Sequence, residues 1–174
     1  MQRTADRQKT LAAHGALISD ERLPIEVLDL AQATSVEGRV LVHGQDEQTG
    51  RNYLMLEGTD ARVHFIQYTP EMEEARSRGE IRTNSFVRLQ RRLDNSIQIE
   101  DFGDAERLLR DSDQLNAVAG RLLKRGIIPA EDGWGGWLGR FQSALRETAL
   151  QLSAMTNREL TRVRGRRRDQ SRGR

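Results

Sequence analysis

The chain has 174 residues, of which 36% are hydrophobic and 31% are charged. This length predicts one main domain, and the polar composition indicates that part of the chain lies outside its core. The absence of cysteine excludes disulfides and thiolate-bound metals and fits a reducing cytoplasm. No apolar run approaches the roughly 20 residues of a membrane-spanning helix, and 1–15 lacks a secretory leader, so we expect a cytoplasmic protein without membrane insertion.

Positive charge is concentrated at the C-terminus. The net charge is only +2, but 158–174 holds eight arginines and two acidic residues, a balance of +6 that leaves −4 for the residues before it. This segment has no apolar periodicity and is predicted to be a disordered basic tail. It would contact a partner, or it would be a solvated tail with no binding role. The arginines expected to bind nucleic acid are Arg162, Arg164, Arg166, Arg167, Arg168 and Arg172.

Residues 1–34 are predicted to form an N-terminal helix and a connector. A helix over 5–14 would end at Gly15, and the apolar residues of 24–33 fit either a strand or a helix. We expect the connector to lay apolar side chains on the domain that follows.

Residues 35–103 are predicted to form a small β-barrel. Alternating apolar side chains give three strands in its first half, and two more strands follow over 83–91 and 96–102. Thr69 would cap an inserted helix over 70–78. Five strands with one buried face indicate an SH3-like or OB-like barrel in an α+β fold. The side chains predicted to fill the barrel are Val40, Val42, Leu54, Leu56, Val63 and Phe65.

Residues 104–157 change to helical periodicity and are predicted to pack on the barrel. A short helix is predicted over 104–109, Ser112 would cap the next helix, and a third helix begins near Trp134. The apolar stripes are Leu115, Val118, Ala119, Leu122 and Leu123 in the helix after Ser112, and Trp137, Phe141, Leu145, Thr148 and Leu152 in the helix after Trp134.

Four segments of the chain carry a resemblance. They are LAAHGALISDERLPIEVLDLA at 11–31, GRVLVHGQDEQTGRNYLMLEGTDARVHFI at 38–66, YTPEMEEARSRGEIRTNSFVRL at 68–89 and LLKRGIIPAEDGWGGWLGRFQSAL at 122–145. In this order they resemble the C-terminal domain of unknown function of bacterial conjugative relaxases. Those proteins are plasmid mobilisation nucleases related to the Agrobacterium border-nicking relaxase. The likeness covers most of residues 10–150.

The resemblance implies a part in plasmid transfer without the nuclease. Such relaxases nick one DNA strand with a tyrosine near the N-terminus, assisted by a metal that a histidine cluster holds. Here His14, His43 and His64 form no such motif, and Tyr53 and Tyr68 lie in the predicted barrel. We therefore expect no catalytic residue, no cofactor and no metal in this chain. It would be an excised part of a relaxase, the product of a gene fragment, or a stand-alone relative.

Arg39, His43, Arg62 and His64 are predicted to form a cluster on the outer face of the barrel. Such a cluster would bind phosphate or a metal ion. Two histidines without a third placed ligand are a weak zinc signal, and cross-strand polar pairs on a solvated face are the alternative.

Arg88, Arg91 and Arg92 form a second basic group, on the fourth predicted strand and its turn. They are candidates for phosphate contacts with DNA. An ordinary solvated strand end is the alternative.

The outer face of the barrel also carries apolar side chains. Either the C-terminal helices cover them, which we favour because those helices are present in the chain, or they stack on bases as in OB-type barrels. Trp134 and Trp137 would dock on the barrel or anchor an interface with a partner. The apolar residues concerned are Leu41, Tyr53, Met55 and Ile66.

Three functional hypotheses follow. We favour a non-catalytic accessory domain of a conjugative relaxase, which contributes to binding of single-stranded or transfer-origin DNA, to relaxosome assembly, or to recognition by type IV secretion. Its basic tail resembles translocation signals read by a type IV coupling protein, so the protein would travel with the DNA. The second hypothesis is an interaction module that docks on a relaxase nuclease domain or a coupling protein. The third, a metal-dependent nuclease, needs a metal site that the sequence does not assemble.

Overall fold

The computed structural model describes residues 18–31, 35–125, 134–151 and 154. Within them, the strands are β1 (Ile25–Val27), β2 (Ser35–Gln45), β3 (Asn52–Gly58), β4 (Val63–Gln67), β5 (Ser85–Arg91) and β6 (Ile97–Asp104). The helices are α1 (Pro70–Ser77), α2 (Ala105–Leu108), α3 (Ser112–Lys124) and α4 (136–151). The predicted N-terminal helix over 5–14 and the predicted basic tail lie outside the described residues.

The strands form one mixed sheet in the order β1-β4-β3-β2-β5-β6. β1 runs parallel to β4, and every other neighbouring pair is antiparallel. The predicted α+β class is therefore confirmed. The predicted five-stranded barrel is wrong, because the sheet has six described strands and stays open between its outer strands β1 and β6. Neither an SH3-like nor an OB-like arrangement is confirmed.

The sixth strand comes from the connector, whose apolar pattern fits either a strand or a helix. Ile25 pairs with Val63 and Val27 with Phe65, so part of 24–33 forms a short edge strand. Alternating side chains indicate which positions of a strand are buried, but they do not specify the tilt and stagger that close a barrel. The three residues of β1 offer little backbone for a closing partner.

Helices cover both faces of the sheet. The face under α1, here the α1 face, has a core of Leu30, Val36, Val40, Leu54, Leu56, Ile66, Met72, Ile81, Val87, Leu89 and Ile97. The core of the opposite face, here the α4 face, includes Leu41, Val42, Tyr53, Met55, Val63, Phe65, Phe86, Trp137, Leu138 and Phe141. Because both faces are buried, six consecutive residues of β3 are buried without alternation.

The predicted inner face mixes residues from both sides of the sheet. A bulge between Val40 and Val42 shifts the register of β2, and the pairing of Met55 with Phe65 places Phe65 on the α4 face. A shift of one residue turns every following side chain to the other face. The α1 face therefore holds Val40, Leu54 and Leu56, whereas the α4 face holds Val42, Val63 and Phe65.

The expected coverage of the outer face by C-terminal helices is confirmed in most positions. Trp137 and Phe141 of α4 belong to the same core as three of the four residues. Ile66 lies instead on the α1 face. The three covered residues are Leu41, Tyr53 and Met55.

The start of α1 is as predicted. The Thr69 side chain accepts a hydrogen bond from the backbone nitrogen of Met72, and Pro70 is the first helical residue. Acidic residues in the first turn complement the positive end of the helix. The helix ends at Ser77, one residue before the predicted end.

The C-terminal helices differ from prediction at single positions. The N-cap of α3 is Asp111 rather than Ser112, because the Asp111 carboxylate accepts from two backbone nitrogens. Leu123 is 40% exposed, whereas the other predicted stripe residues of α3 are buried. The α4 stripe is buried as far as Thr148, and the Leu152 side chain is outside the described residues. No helix in the described ranges is both long and apolar enough to cross a membrane.

Candidate functional site

Glu37 on β2 is a buried carboxylate surrounded by three arginines. Arg88 lies directly opposite it on β5. Arg121 and Arg125 reach it from the last turn and the C-cap of α3. The Arg125 Nη1 donates to Glu37 Oε1 at 2.8 Å, and Arg88 Nε lies 3.6 Å from that oxygen. Arg121 Nη2 lies 3.8 Å from Glu37 Oε2. These four residues are named the Glu37 cluster below.

The Glu37 cluster joins the sheet to α3 and holds cationic groups near the surface. The Glu37 side chain is 0% exposed, whereas Arg121 and Arg125 are 28% and 32% exposed. Arg88 also donates to Glu100 on β6 at 3.3 Å. A buried carboxylate is stable only when cations and hydrogen-bond donors replace water around it. The cluster therefore fixes guanidinium groups that remain partly open to solvent.

A second buried carboxylate, Glu57 on β3, ties residue 19 to the sheet. The Ser19 backbone nitrogen and hydroxyl donate to Glu57 at 2.7 and 2.5 Å. Arg39 lies opposite Glu57 on β2, with Nη2 at 3.4 Å. The Arg39 guanidinium also lies 5.7 Å from the centre of the Trp137 ring and donates to Asn84 at 3.1 Å. Arg39 thus links the sheet to α4.

His43 lies on the α1 face within a chain of hydrogen bonds. Its Nε2 is 2.6 Å from the Ile81 carbonyl oxygen, and because a carbonyl only accepts, we assign the proton to Nε2. The Nδ1 atom then accepts from the Tyr68 hydroxyl, whose oxygen accepts from Arg76 at 3.3 Å. Burial and Arg76 lower the pKa of His43 against the opposing effect of the Ile81 carbonyl, and burial raises the pKa of Tyr68. Both rings are therefore uncharged near neutral pH.

The other two members of the predicted outer-face cluster have separate partners. His64 Nε2 lies 2.8 Å from Asp60 Oδ2, and Arg62 Nη1 lies 3.2 Å from Glu26 Oε2. Strand β3 separates the two histidines, and the bulge in β2 turns position 39 to the opposite face from position 43. The following residues therefore do not form one cluster: Arg39, His43, Arg62 and His64.

The predicted basic group on the fourth strand is also divided. Arg88 points to the α4 face and belongs to the Glu37 cluster. Arg91, an odd number of residues along the same strand, points to the other face, and its Nη1 donates to the Ala31 carbonyl. Arg92 is exposed in the turn between β5 and β6. Only Arg88 therefore joins a larger cationic group.

The two tryptophans have different positions. Trp137 is 2% exposed, stacks on Phe141 with ring centres 4.8 Å apart, and donates from Nε1 to the Ala105 carbonyl at 2.8 Å. Trp134 is half-buried, with the Arg22 guanidinium 5.0 Å from its ring centre. Trp137 therefore docks α4 on the sheet, and a partner interface at Trp134 stays a prediction.

A groove of about 650 Å³ lies between residues 79–85 and the end of β6. Two non-glycine residues of its loop have positive φ, Ile81 at 50° and Asn84 at 70°. Such a value is rare for a β-branched residue. Asp101 holds Ile81 by accepting from its backbone nitrogen at 2.9 Å, and His43 holds its carbonyl. Within the described ranges, no group of three His, Cys, Asp or Glu residues is placed to hold a metal ion.

The sequence indicated only part of these arrangements. Glu37 is the acidic residue of β2, and Arg121 and Arg125 have the spacing of neighbours on one helix face. The contact between Glu37 and Arg125 spans 88 positions, however, and no local pattern indicates it. The six tail arginines predicted to bind nucleic acid lie outside the described residues: Arg162, Arg164, Arg166, Arg167, Arg168 and Arg172.

Comparison with known proteins identified no relative. No family model matches the chain, and no curated protein or solved structure matches it significantly.

Proposed function

We propose that this chain is the accessory C-terminal domain of a conjugative relaxase and contributes DNA contacts during plasmid transfer. The observation that carries the proposal is the balance of +6 in 158–174, beside a balance of −4 in the rest of the chain. A basic segment binds the nucleic-acid backbone by releasing condensed counterions. The four segments that resemble the relaxase domain give the biological setting.

The fold is compatible with such a role. Helices cover both faces of the sheet, so nucleic acid would contact strand edges, helix surfaces and the tail rather than an open stacking face. The same tail would serve in relaxosome assembly or in recognition by a type IV coupling protein. The protein would then act in the bacterial cytoplasm and pass with the DNA.

Equilibrium binding to labelled single-stranded and transfer-origin DNA tests the proposal. The full chain should bind at low salt. Changing six tail arginines to glutamine should weaken binding on the order of a hundredfold, because the phosphate contacts of these arginines are lost. The tail substitutions are at Arg162, Arg164, Arg166, Arg167, Arg168 and Arg172. A control with the same change of charge substitutes exposed body arginines: Arg51, Arg62, Arg78, Arg82, Arg107 and Arg110. Equal loss in both variants, or no binding at low salt, would reject the proposal.

The second candidate is an interaction module that docks on a relaxase nuclease domain or a coupling protein. The groove beside 79–85 supports it, because Asp101 and His43 hold the loop in one conformation and a rigid surface loses less entropy on binding. A co-purification assay with the nuclease domain tests it. Thr83→Arg would fill the groove and abolish co-purification, while Arg107→Glu, away from the groove lining, would not.

A further inference from the structure

We propose that the Glu37 cluster is a phosphate-binding site in the folded body of the protein, separate from the basic tail. The backbone phosphate of nucleic acid is the group that it would take, and this choice of polymer rests on the proposed function. A free phosphate group has the same binding chemistry, so both sources are tested below.

The cluster has more positive than negative charge. Three guanidinium groups approach Glu37 at 2.8 to 3.8 Å, and Glu100 beside Arg88 is the second carboxylate. One positive charge therefore remains, and the C-terminus of α3 offsets only about half of it. An anion bound at the exposed side of the cluster would complete the neutralisation.

Hydrogen-bond donors in the cluster also outnumber acceptors. Among the described residues, three buried donors of the cluster have no hydrogen bond, Arg88 Nε and the Nε and Nη2 of Arg121, against one such acceptor, Glu37 Oε2. Each guanidinium has five donors and no acceptor, and Glu37 accepts one short hydrogen bond, from Arg125. A phosphate group presents only acceptor oxygens, which match the planar donors of arginine. A phosphate group would therefore supply the hydrogen-bond acceptors that the cluster lacks.

The two outer arginines are held in place before any ligand binds. Arg121 and Arg125 are one helical turn apart, so they project from the same side of α3. Glu37 anchors Arg125, and Phe102 packs under Arg121 with 4.9 Å between the guanidinium carbon and the ring centre. Because these side chains are already ordered, they lose less entropy on binding than free surface arginines.

NMR of the arginine side-chain Nε–H groups in the full chain tests the site directly. The probes are inorganic pyrophosphate and a short single-stranded DNA oligonucleotide of mixed sequence. Saturable shifts of the Arg121 and Arg125 signals are expected with both probes, without comparable shifts at Arg107 and Arg110. Shifts with pyrophosphate alone would support a site for free phosphate groups. No saturable shift with either probe would overturn the proposal.

Binding of the oligonucleotide to a double variant, R121Q/R125Q, measures the contribution of the site. The affinity at low salt should fall on the order of tenfold, and the salt slope should decrease by about 1.4, since each lost contact to a single strand removes about 0.7. The matched control R107Q/R110Q removes the same charge from exposed positions before α3 and should change affinity less than about threefold. Equal losses in the two variants would overturn the proposal.

A triple variant serves as a control in case the double variant does not fold. E37Q/R121Q/R125Q removes the buried carboxylate together with its two outer partners and changes the net charge by one unit only. It should fold and show the same loss of oligonucleotide affinity, which a loss of net charge alone would not produce. A folded triple variant with unchanged affinity would refute the site.

The outcomes separate this proposal from the proposed function. If the tail variant loses affinity for DNA while pyrophosphate still shifts the NMR signals of Arg121 and Arg125, both proposals are supported. If DNA binds through the tail and these signals do not respond to either probe, the site is refuted and the proposed function stands. If pyrophosphate shifts the signals but no DNA binds the full chain at low salt, the site is supported and the proposed function fails.

Discussion

Buried charged side chains join the helices and the N-terminal part of the described chain to the sheet. Glu37 is held by arginines of β5 and α3, and Glu57 is held by Arg39 and Ser19. Replacing a buried ion pair by apolar residues is often neutral, but removing one partner leaves an uncompensated charge. Removing one residue of such a group should therefore cost more stability than replacing the whole group by apolar side chains.

Glu37→Ala is expected to destabilise the protein by about 2 to 4 kcal/mol, since it leaves the partly buried arginines of the cluster without their shared carboxylate. Urea denaturation measures the change. Glu100→Ala is the control, because Glu100 is 36% exposed and should cost less than about 1 kcal/mol. A similar cost for both variants would contradict the central place of Glu37.

His43 should make stability depend on pH. Burial lowers the pKa of folded His43 below its ordinary value of 6.5, so the unfolded chain takes up the proton first as the pH falls. The stability from neutral His43 is complete above about pH 6.5 and is lost as the pH falls toward the folded pKa. Denaturation at several pH values should show wild type losing more stability on acidification than His43→Gln. Parallel pH profiles would contradict this prediction.

At the scale of elements, α4 is docked chiefly by aromatic side chains. Trp137 contributes ring contacts and one hydrogen bond to a backbone carbonyl, whereas Trp134 is half-buried and lies two residues before the helix begins. A buried tryptophan excludes a large apolar surface from water, and its N–H needs a partner. The two tryptophans thus form a natural pair of test and control.

Trp137→Ala should cost about 3 to 5 kcal/mol, because it empties a large site in the core of the α4 face and leaves the Ala105 carbonyl without its donor. Trp134→Ala should cost about 1 kcal/mol or less. Chemical denaturation with tryptophan-independent detection by circular dichroism compares them. Equal costs would show that α4 does not depend on the Trp137 contact.

Two glycine-to-alanine substitutions should change the stability of the protein in opposite directions. A Cβ atom at Gly38 would lie 2.2 Å from the backbone oxygen of Glu57, so Gly38→Ala should destabilise by about 2 to 3 kcal/mol as β2 and β3 separate locally. A Cβ at Gly120 in α3 meets no atom within 4 Å, so Gly120→Ala should stabilise by about 0.5 to 1 kcal/mol. Thermal unfolding gives both values. A loss of stability in Gly120→Ala would contradict the open space that the structure shows beside this residue of α3.

Local sequence signals predicted elements better than their arrangement. The N-cap at Thr69 and the apolar stripe of α3 could be predicted, because both depend on neighbours within one helix. The face of the sheet to which Val63 and Phe65 of β4 point could not be predicted, because it depends on the register with β3. The bulge between Val40 and Val42 has no local sequence signature either. The Glu37 cluster could not be assembled for the same reason, since three elements distant in sequence meet there.

At the scale of the whole molecule, the described residues place the Glu37 cluster on a sheet that helices cover, and the basic segment 158–174 follows in sequence. Salt dependence separates their contributions, because each phosphate contact adds to the slope of log affinity against log salt concentration. Fluorescence anisotropy with a labelled single-stranded oligonucleotide gives this slope. The chains compared are wild type, the tail variant, R121Q/R125Q and the combination of the last two.

The slope of the wild-type chain is the most direct test of DNA binding. We predict a steep negative slope for wild type, a large reduction in the tail variant, a reduction of about 1.4 in R121Q/R125Q, and additive loss in the combination. Binding that is absent at low salt, or a wild-type affinity that does not change with salt, would contradict a role in contacting DNA.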